Sequence, residues 1–131
     1  MNKICTDIEQ SNVLIKSGID VSTADMKYPY FGDGQYGTTP VVGECIEFSG
    51  GTDIPAWSLS ALLKLMPESL APDNGTYQVY YMELYSHDGL HCCDYVGFFD
   101  RDSFVGFAEG DYIDAAVEMV RWLLENKKIL N

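Results

Sequence analysis

Positive charge is scarce in this sequence. Eight lysines and arginines stand against twenty aspartates and glutamates, a formal net charge of −12 over 131 residues. Such a surface repels phosphates, so direct binding to DNA, RNA or an anionic membrane is disfavoured. Basic stripes, the electrostatic footprint of nucleic-acid recognition, are missing as well. Histidine is scarcer still: the chain has two, His87 and His91, both beside one turn. Ser-His-Asp or Cys-His chemistry would have to orient one of these rings on Cys45 or on a distant serine. Gly32-Asp33-Gly34 is not followed by a phosphate-binding helix start, and Gly-Lys-Ser/Thr does not occur, so phosphate-cradling loops have no template. No window approaches the ~18 apolar residues of a membrane span. The opening MNKICTDIEQ lacks the ~7–15-residue apolar stretch of an export signal. These absences lead to the expectation of a cytoplasmic protein whose four cysteines, Cys5, Cys45, Cys92 and Cys93, stay reduced.

Apolar residues are plentiful, at 47%, and aromatics make up 13% with nine tyrosines. A chain of this size can bury roughly two-thirds of its unfolded surface, so residues 1–131 are expected to form one domain around one core. Tyrosine joins an apolar ring to a polar tip and suits half-buried strands and interfaces alike. The acids are spread evenly along the chain, seven in 1–50, seven in 51–100 and six in 101–131, the pattern that solubility alone produces.

Thr6-Asp7-Ile8-Glu9 reads as a capping box with Thr6 at the N-cap, followed by a helix over Asp7 to Ser17 and Gly18 at C′. Its apolar face is thin, with Ile8, Leu14 and Ile15. Lys27 to Thr39 is the least regular stretch; Pro29 and three glycines break both helix and ladder, so a long loop is expected. Val41 to Phe48 reads as a strand ended by Gly50-Gly51. In Pro-Ala-Trp-Ser-Leu-Ser-Ala-Leu-Leu-Lys-Leu-Met-Pro, residues 55–67, the positions Leu59, Leu62, Leu63 and Met66 form the stripe of a helix with one buried face. Ser58 is the expected N-cap, Trp57 can staple onto Leu62, and Pro67 ends the helix. As an N-cap, Ser58 should be replaceable by aspartate at little cost. The closing helix is expected over Tyr112 to Glu125, capped by Asp111, with Ile113, Ala116, Val117, Val120, Leu123 and Leu124 buried.

Between these helices the runs 76–86 and 90–99 flank His87-Asp88-Gly89, and Asp-Gly between alternating apolar runs is a strong hairpin signal. With Phe104 to Ala108 they make a three-strand meander. The expected class is therefore α+β: a small, mainly antiparallel sheet of that meander plus one strand, packed with about three helices.

His87 to Asp94 also gathers two imidazoles and two thiols, ligand types that suit zinc. A two-residue Asp88-Gly89 turn opposes His87 to Leu90 and Ser86 to His91. That register puts His87 with Cys92 on one face and His91 with Cys93 on the other. One site could then collect only about half of these ligands, so neither a metal nor another cofactor is expected. The same register sets Glu83 opposite Asp94, a like-charge pair that a cation or a proton would relieve.

Thr6–Ser11, Gly18–Met26, Ile54–Leu63 and Asp114–Glu125 together resemble a family of small acidic proteins encoded by gut Bacteroidetes and their phages or prophages. The later half, with its aromatic-Ser helix start, strands and closing Asp-Ala-Ala helix, is similar to a phage domain built as a helix–sheet–helix sandwich. The resemblance implies a mobile-element setting and brings no activity or catalytic residue with it.

Three functions fit these features. The leading one is a non-enzymatic binding protein of phage or mobile-element origin that acts on a host protein by protein–protein contact. Its sharpest form is an acidic inhibitor that mimics nucleic acid. The second is a small-molecule binder or small hydrolase with a pocket lined by Tyr28, Tyr30, Phe31, Tyr36 and Trp57. The third is a structural or assembly component that forms a homo-oligomer through an exposed sheet edge or its tyrosines.

Overall fold

The structure, a computed structural model, describes residues 3–45, 47–48, 51–71 and 78–128. Among these residues three α-helices and a set of antiparallel sheets form a small α+β fold. The largest sheet runs β11-β10-β9-β8, from β8 (Ser69–Leu70), β9 (Tyr80–His87), β10 (Leu90–Gly97) and β11 (Ser103–Glu109). Its centre is the expected hairpin: Asp88 and Gly89 have φ of 51° and 79°, and His87 opposes Leu90, Ser86 opposes His91 and Glu83 opposes Asp94. The strand added to the meander is β8, not the expected Val41 to Phe48 segment, whose strands belong to other sheets.

Helix α3 (Tyr112–Glu125) begins and ends where its periodicity predicts, with the Asp111 carboxylate accepting the Ile113 N–H at 2.7 Å. It buries more than the expected stripe: Ala115 and Met119 are also fully buried, whereas Leu124 is only partly covered. The reason is its place in the fold. α3 contacts β10 and β11 as well as α1 (Ile8–Lys16) and α2 (Leu59–Leu65), so one stripe cannot satisfy both sides. The main core formed there includes Leu14, Trp57, Leu62, Tyr95, Val120 and Leu123.

The start of α1 corrects the expected capping box by one residue. Asp7, not Thr6, is the N-cap; its carboxylate accepts the Gln10 N–H at 2.7 Å and the Gln10 side chain accepts the Asp7 N–H at 3.1 Å. Thr6 is fully buried and used elsewhere. Its hydroxyl meets Ser11 Oγ at 2.7 Å and accepts the Trp57 N–H at 3.1 Å, while its own N–H donates to the Trp57 carbonyl at 2.9 Å. Residues three apart at a helix start and an oxygen-bearing pair recur at both offsets here, and tertiary contact chose between them.

The expected loop over Lys27 to Thr39 is instead three short strands. β1 (Met26–Tyr28) lies between β4 (Val41–Val42) and β7 (Ile54–Ala56), and β2 (Tyr30–Gly32) pairs with β3 (Gln35–Tyr36). Asp33 and Gly34, at φ 51° and 73°, turn β2 into β3. The expected strand Val41 to Phe48 is likewise divided into β4 and β5 (Glu47–Phe48), and β5 pairs with β6 (Gly51–Thr52). Gly43 breaks it at φ +138°, backbone that side-chain-bearing residues rarely adopt. Gly50, named as part of its end, lies outside the described residues. A second, smaller core of Cys5, Met26, Tyr28 and Ala56 sits at this sheet.

Candidate functional site

Strand alternation gives the β9–β10–β11 sheet two unlike faces. Cys93 and Tyr95 belong to the main core, and Leu84, Met82, Val105 and Phe107 pack against that core. The opposite face carries Tyr81, Glu83 and Tyr85 of β9, Leu90, Cys92, Asp94 and Val96 of β10, and Gly106 and Ala108 of β11. Cys92, Asp94 and Val96 are buried without joining either core. Their cross-strand neighbours explain this: Tyr85 opposes Cys92 and Tyr81 opposes Val96, so tyrosines flank them on the same face. The tyrosines themselves, at 46% and 40% exposure, remain open to solvent. Phe98 and Phe99 extend this surface past the end of β10, 61% and 78% exposed, with Phe98 5.9 Å from Tyr81 and 5.1 Å from Phe99 between ring centroids.

Asp94 is the polar centre of that face. The Ser103 hydroxyl donates to Oδ1 at 2.6 Å and the Tyr85 hydroxyl to Oδ2 at 2.9 Å. A methyl group on Gly106 would stand 2.7 Å from the Asp94 carboxyl carbon, so only glycine leaves room for this carboxylate. The hydrogen bond to Asp94, and burial after it, push the Tyr85 phenol up to about 12. A shallow cavity of about 300 Å³ opens here, lined by Tyr85, Cys92, Asp94, Ser103, Gly106 and Ala108 among others. The like-charge pair expected across the ladder is resolved by separate partners: Glu83 takes Arg101 Nη2 at 2.8 Å, while Asp94 keeps its two hydroxyls.

The five aromatic residues expected to line a pocket are divided by the fold. Trp57 is fully buried in the main core, and its indole N–H donates to Thr23 Oγ1 at 2.9 Å. Tyr28 belongs to the smaller core, where its hydroxyl donates to the Thr6 carbonyl at 2.8 Å. Burial raises its phenol, with help from Cys5. Tyr30 and Tyr36 touch each other at 5.1 Å on the β2–β3 hairpin, and Phe31 is 71% exposed. Sequence reasoning missed Asp94, Ser103 and the Phe98–Phe99 pair as one surface. The usable signal was the Asp88-Gly89 register, which already places Asp94 beside Tyr85 on one face.

The cysteine–histidine run is separated as the register requires. Cys93 is fully buried and its thiol is pushed up to about 12 by burial, whereas Cys92 lies on the other face. His91 rests against Tyr112 at 4.4 Å, and His87 faces Asp88 at 3.2 Å in solvent. Among the described residues no group of three or more His, Cys, Asp or Glu side chains is arranged to hold a metal, and no helix is long and apolar enough to cross a membrane.

Ser58 caps α2 as expected, accepting the Ala61 N–H at 3.2 Å. It also donates its hydroxyl to Asp25 Oδ2, and its N–H bonds Asp25 Oδ1 at 2.9 Å. Aspartate is therefore no neutral substitute here, because it would set a second carboxylate against Asp25. Many other acids serve the fold in the same way. Asp7, Asp20 and Asp111 cap helical turns, Asp53 pairs with Lys27 at 3.2 Å, and Asp114 takes Lys3 at 2.7 Å and Gln10 at 2.7 Å. Comparison of the chain with protein-family models, curated proteins and solved structures returns no match.

Proposed function

We propose that this is a non-enzymatic binding protein that acts through protein–protein contact, on a host protein in a phage or mobile-element setting. The observation that carries the reading is the outward face of the main sheet, where Tyr81, Phe98 and Phe99 form an exposed aromatic cluster and Tyr85 is exposed further along β9. Exposed aromatic patches rimmed by polar groups mark interaction surfaces, and tyrosine and phenylalanine are enriched at their centres. The candidate chemical groups have structural occupations instead: Ser58 caps a helix, Cys93 is sealed in the core, and His91 rests on Tyr112. The mimicry version has less support, because so many carboxylates are tied into caps and ion pairs that position them for folding. The host setting rests on the resemblance at Thr6–Ser11, Gly18–Met26, Ile54–Leu63 and Asp114–Glu125.

The test is quantitative capture from a Bacteroidetes lysate, comparing the parent with the double substitution Phe98→Ser, Phe99→Ser. Both side chains are largely solvent-exposed, so the variant should melt close to the parent while losing a stoichiometric partner. Capture of the same partner at the same yield by the variant would refute this face as the contact.

A further inference from the structure

We propose that the Asp94 groove is a guanidinium-binding site, the point at which an arginine side chain of the partner protein docks. The inference rests on the binding reading above and names the chemistry of the contact.

Asp94 differs from the other buried aspartates. Asp53, 2% exposed, is neutralised by Lys27 at 3.2 Å. Asp111, 6% exposed, accepts two backbone N–H groups, from Ile113 at 2.7 Å and Lys3 at 2.8 Å, at the positive end of α3. Asp94, 5% exposed, has only two neutral hydroxyls, and no Lys, Arg or His nitrogen among the described residues lies within ion-pairing distance. A carboxylate withdrawn from water without a cation or helix terminus is costly, and a docked cation would relieve that cost.

The surroundings suit arginine in particular. Ser103 and Tyr85 occupy one lone-pair direction on each oxygen, which fixes the carboxylate plane and leaves each oxygen a second acceptor site. A planar guanidinium donates to two such oxygens at once, whereas an ammonium is a point charge. Gly106 gives its space to the carboxylate itself, and Ala108 projects only a methyl group into the cavity of about 300 Å³, so a long side chain has space beside the carboxylate. Tyr85 supplies a half-exposed ring at the rim, and a guanidinium stacks on aromatic faces. The nearby Arg101 does not fill the place, because its Nη2 is held by Glu83 at 2.8 Å.

N-acetyl-arginine-amide is the probe, titrated into ¹⁵N-labelled protein, with the citrulline analogue as its neutral isostere. The arginine probe should shift the amides of Asp94, Ser103, Gly106 and Ala108 saturably, and citrulline should bind about tenfold more weakly. Asp94→Asn should abolish the response. Because that substitution touches a buried network, Ala108→Leu is the second variant: position 108 is exposed, Asp94 and its hydroxyls stay in place, and the added side chain closes the groove. It should lose the probe with an unchanged spectrum elsewhere. Equal shifts from arginine and citrulline, or an arginine response that survives both variants, would overturn the site. The two readings fail separately. If the arginine probe does not bind while the Phe98/Phe99 variant still loses its lysate partner, the guanidinium site falls and the docking face stands. If the probe binds as described while that variant keeps its partner, the site stands and the aromatic contact falls.

Discussion

Around α3 the core is apolar and continuous: Leu14, Trp57, Leu62, Met119, Val120 and Leu123 are all fully buried in one cluster. Around β1 the buried cluster among the described residues is Cys5, Met26, Tyr28 and Ala56, and polar side chains do much of the joining. There Lys27 meets Asp53 at 3.2 Å, Asp53 also accepts the Tyr30 N–H at 2.8 Å, and Tyr28 reaches the Thr6 carbonyl at 2.8 Å. The strands explain the contrast. β9 and β10 have eight residues each and are joined by a two-residue turn, so pairing costs little chain entropy. β1, β4 and β7 have three, two and three residues and come from distant parts of the chain. Ladders that short cannot hold register by backbone bonds alone, and directional side-chain bonds supply what is missing. One region is specified by periodicity, the other by partners.

Trp57 stands where the two regions meet, through its backbone exchange with Thr6 and its ring in the main core. Trp57→Ala should therefore have the largest effect, a loss of about 3–5 kcal/mol in urea denaturation. Leu123→Ala, in the packed region alone, should cost about 2–4 kcal/mol by the same measurement. An effect of Leu123→Ala larger than that of Trp57→Ala would place the joint elsewhere.

The polar region offers a sharper test. Asp53→Asn removes the charge partner of a mostly buried Lys27, which keeps its bond to the Glu44 carbonyl at 2.8 Å, and should destabilise by about 1–3 kcal/mol. The double change Lys27→Met, Asp53→Leu should recover part of that loss, less the bond to the Tyr30 N–H. If the single and double variants melt alike, the ion pair contributes nothing to this sheet and the contrast with the α3 core is lost.

Ser58 gives a smaller effect with a diagnostic order. Ser58→Ala should cost about 1–2 kcal/mol through the lost cap. Ser58→Asp, although aspartate is a good N-cap type, should melt lower than Ser58→Ala because of Asp25. The reverse order would show that the Asp25 contact is incidental.

The smallest expected effect is alkaline. The Tyr85 phenol is raised, by its bond to Asp94 and then by burial, to about 12. A raised acid stabilises the folded state below its unfolded value near 10, and that contribution fades as pH climbs through about 12. Tyr85→Phe should thus flatten the fall of the urea midpoint above about pH 10 by one proton's worth of slope. An unchanged slope would mean that Tyr85 titrates as an ordinary tyrosine and that its bond to Asp94 is weak.

Some of the site could be read before the fold was known. The Asp88-Gly89 turn alone places Asp94 opposite Glu83 and on the same face as Tyr85, because side chains alternate strictly along a strand. Asp33-Gly34 carries the same signal and makes the β2–β3 hairpin, yet the surrounding glycines and Pro29 hid it within an expected loop. Ser103 became a partner of Asp94 only through the register shift between β10 and β11 at Tyr95 and Val96, which no local pattern announces.

Local chemistry by itself determined α2 with its Ser58 cap, α3 from Tyr112 to Glu125 with its Asp111 cap, and the β9–β10 register. In each the deciding contacts lie within a few residues, so helical periodicity, a capping oxygen or a two-residue turn is sufficient. Tertiary structure alone decided which oxygen caps α1, that Ser58 must donate as well as accept, and that Trp57 and Tyr28 are spent in separate cores. It also decided that Asp94 is buried with two hydroxyl partners and, among the described residues, no ion-paired Lys, Arg or His. The physical reason is distance along the chain: Thr6 to Trp57, Asp25 to Ser58 and Tyr28 to Thr6 are pairings between segments that only the folded chain brings together, and no local pattern in a sequence states which distant partner a polar group will find.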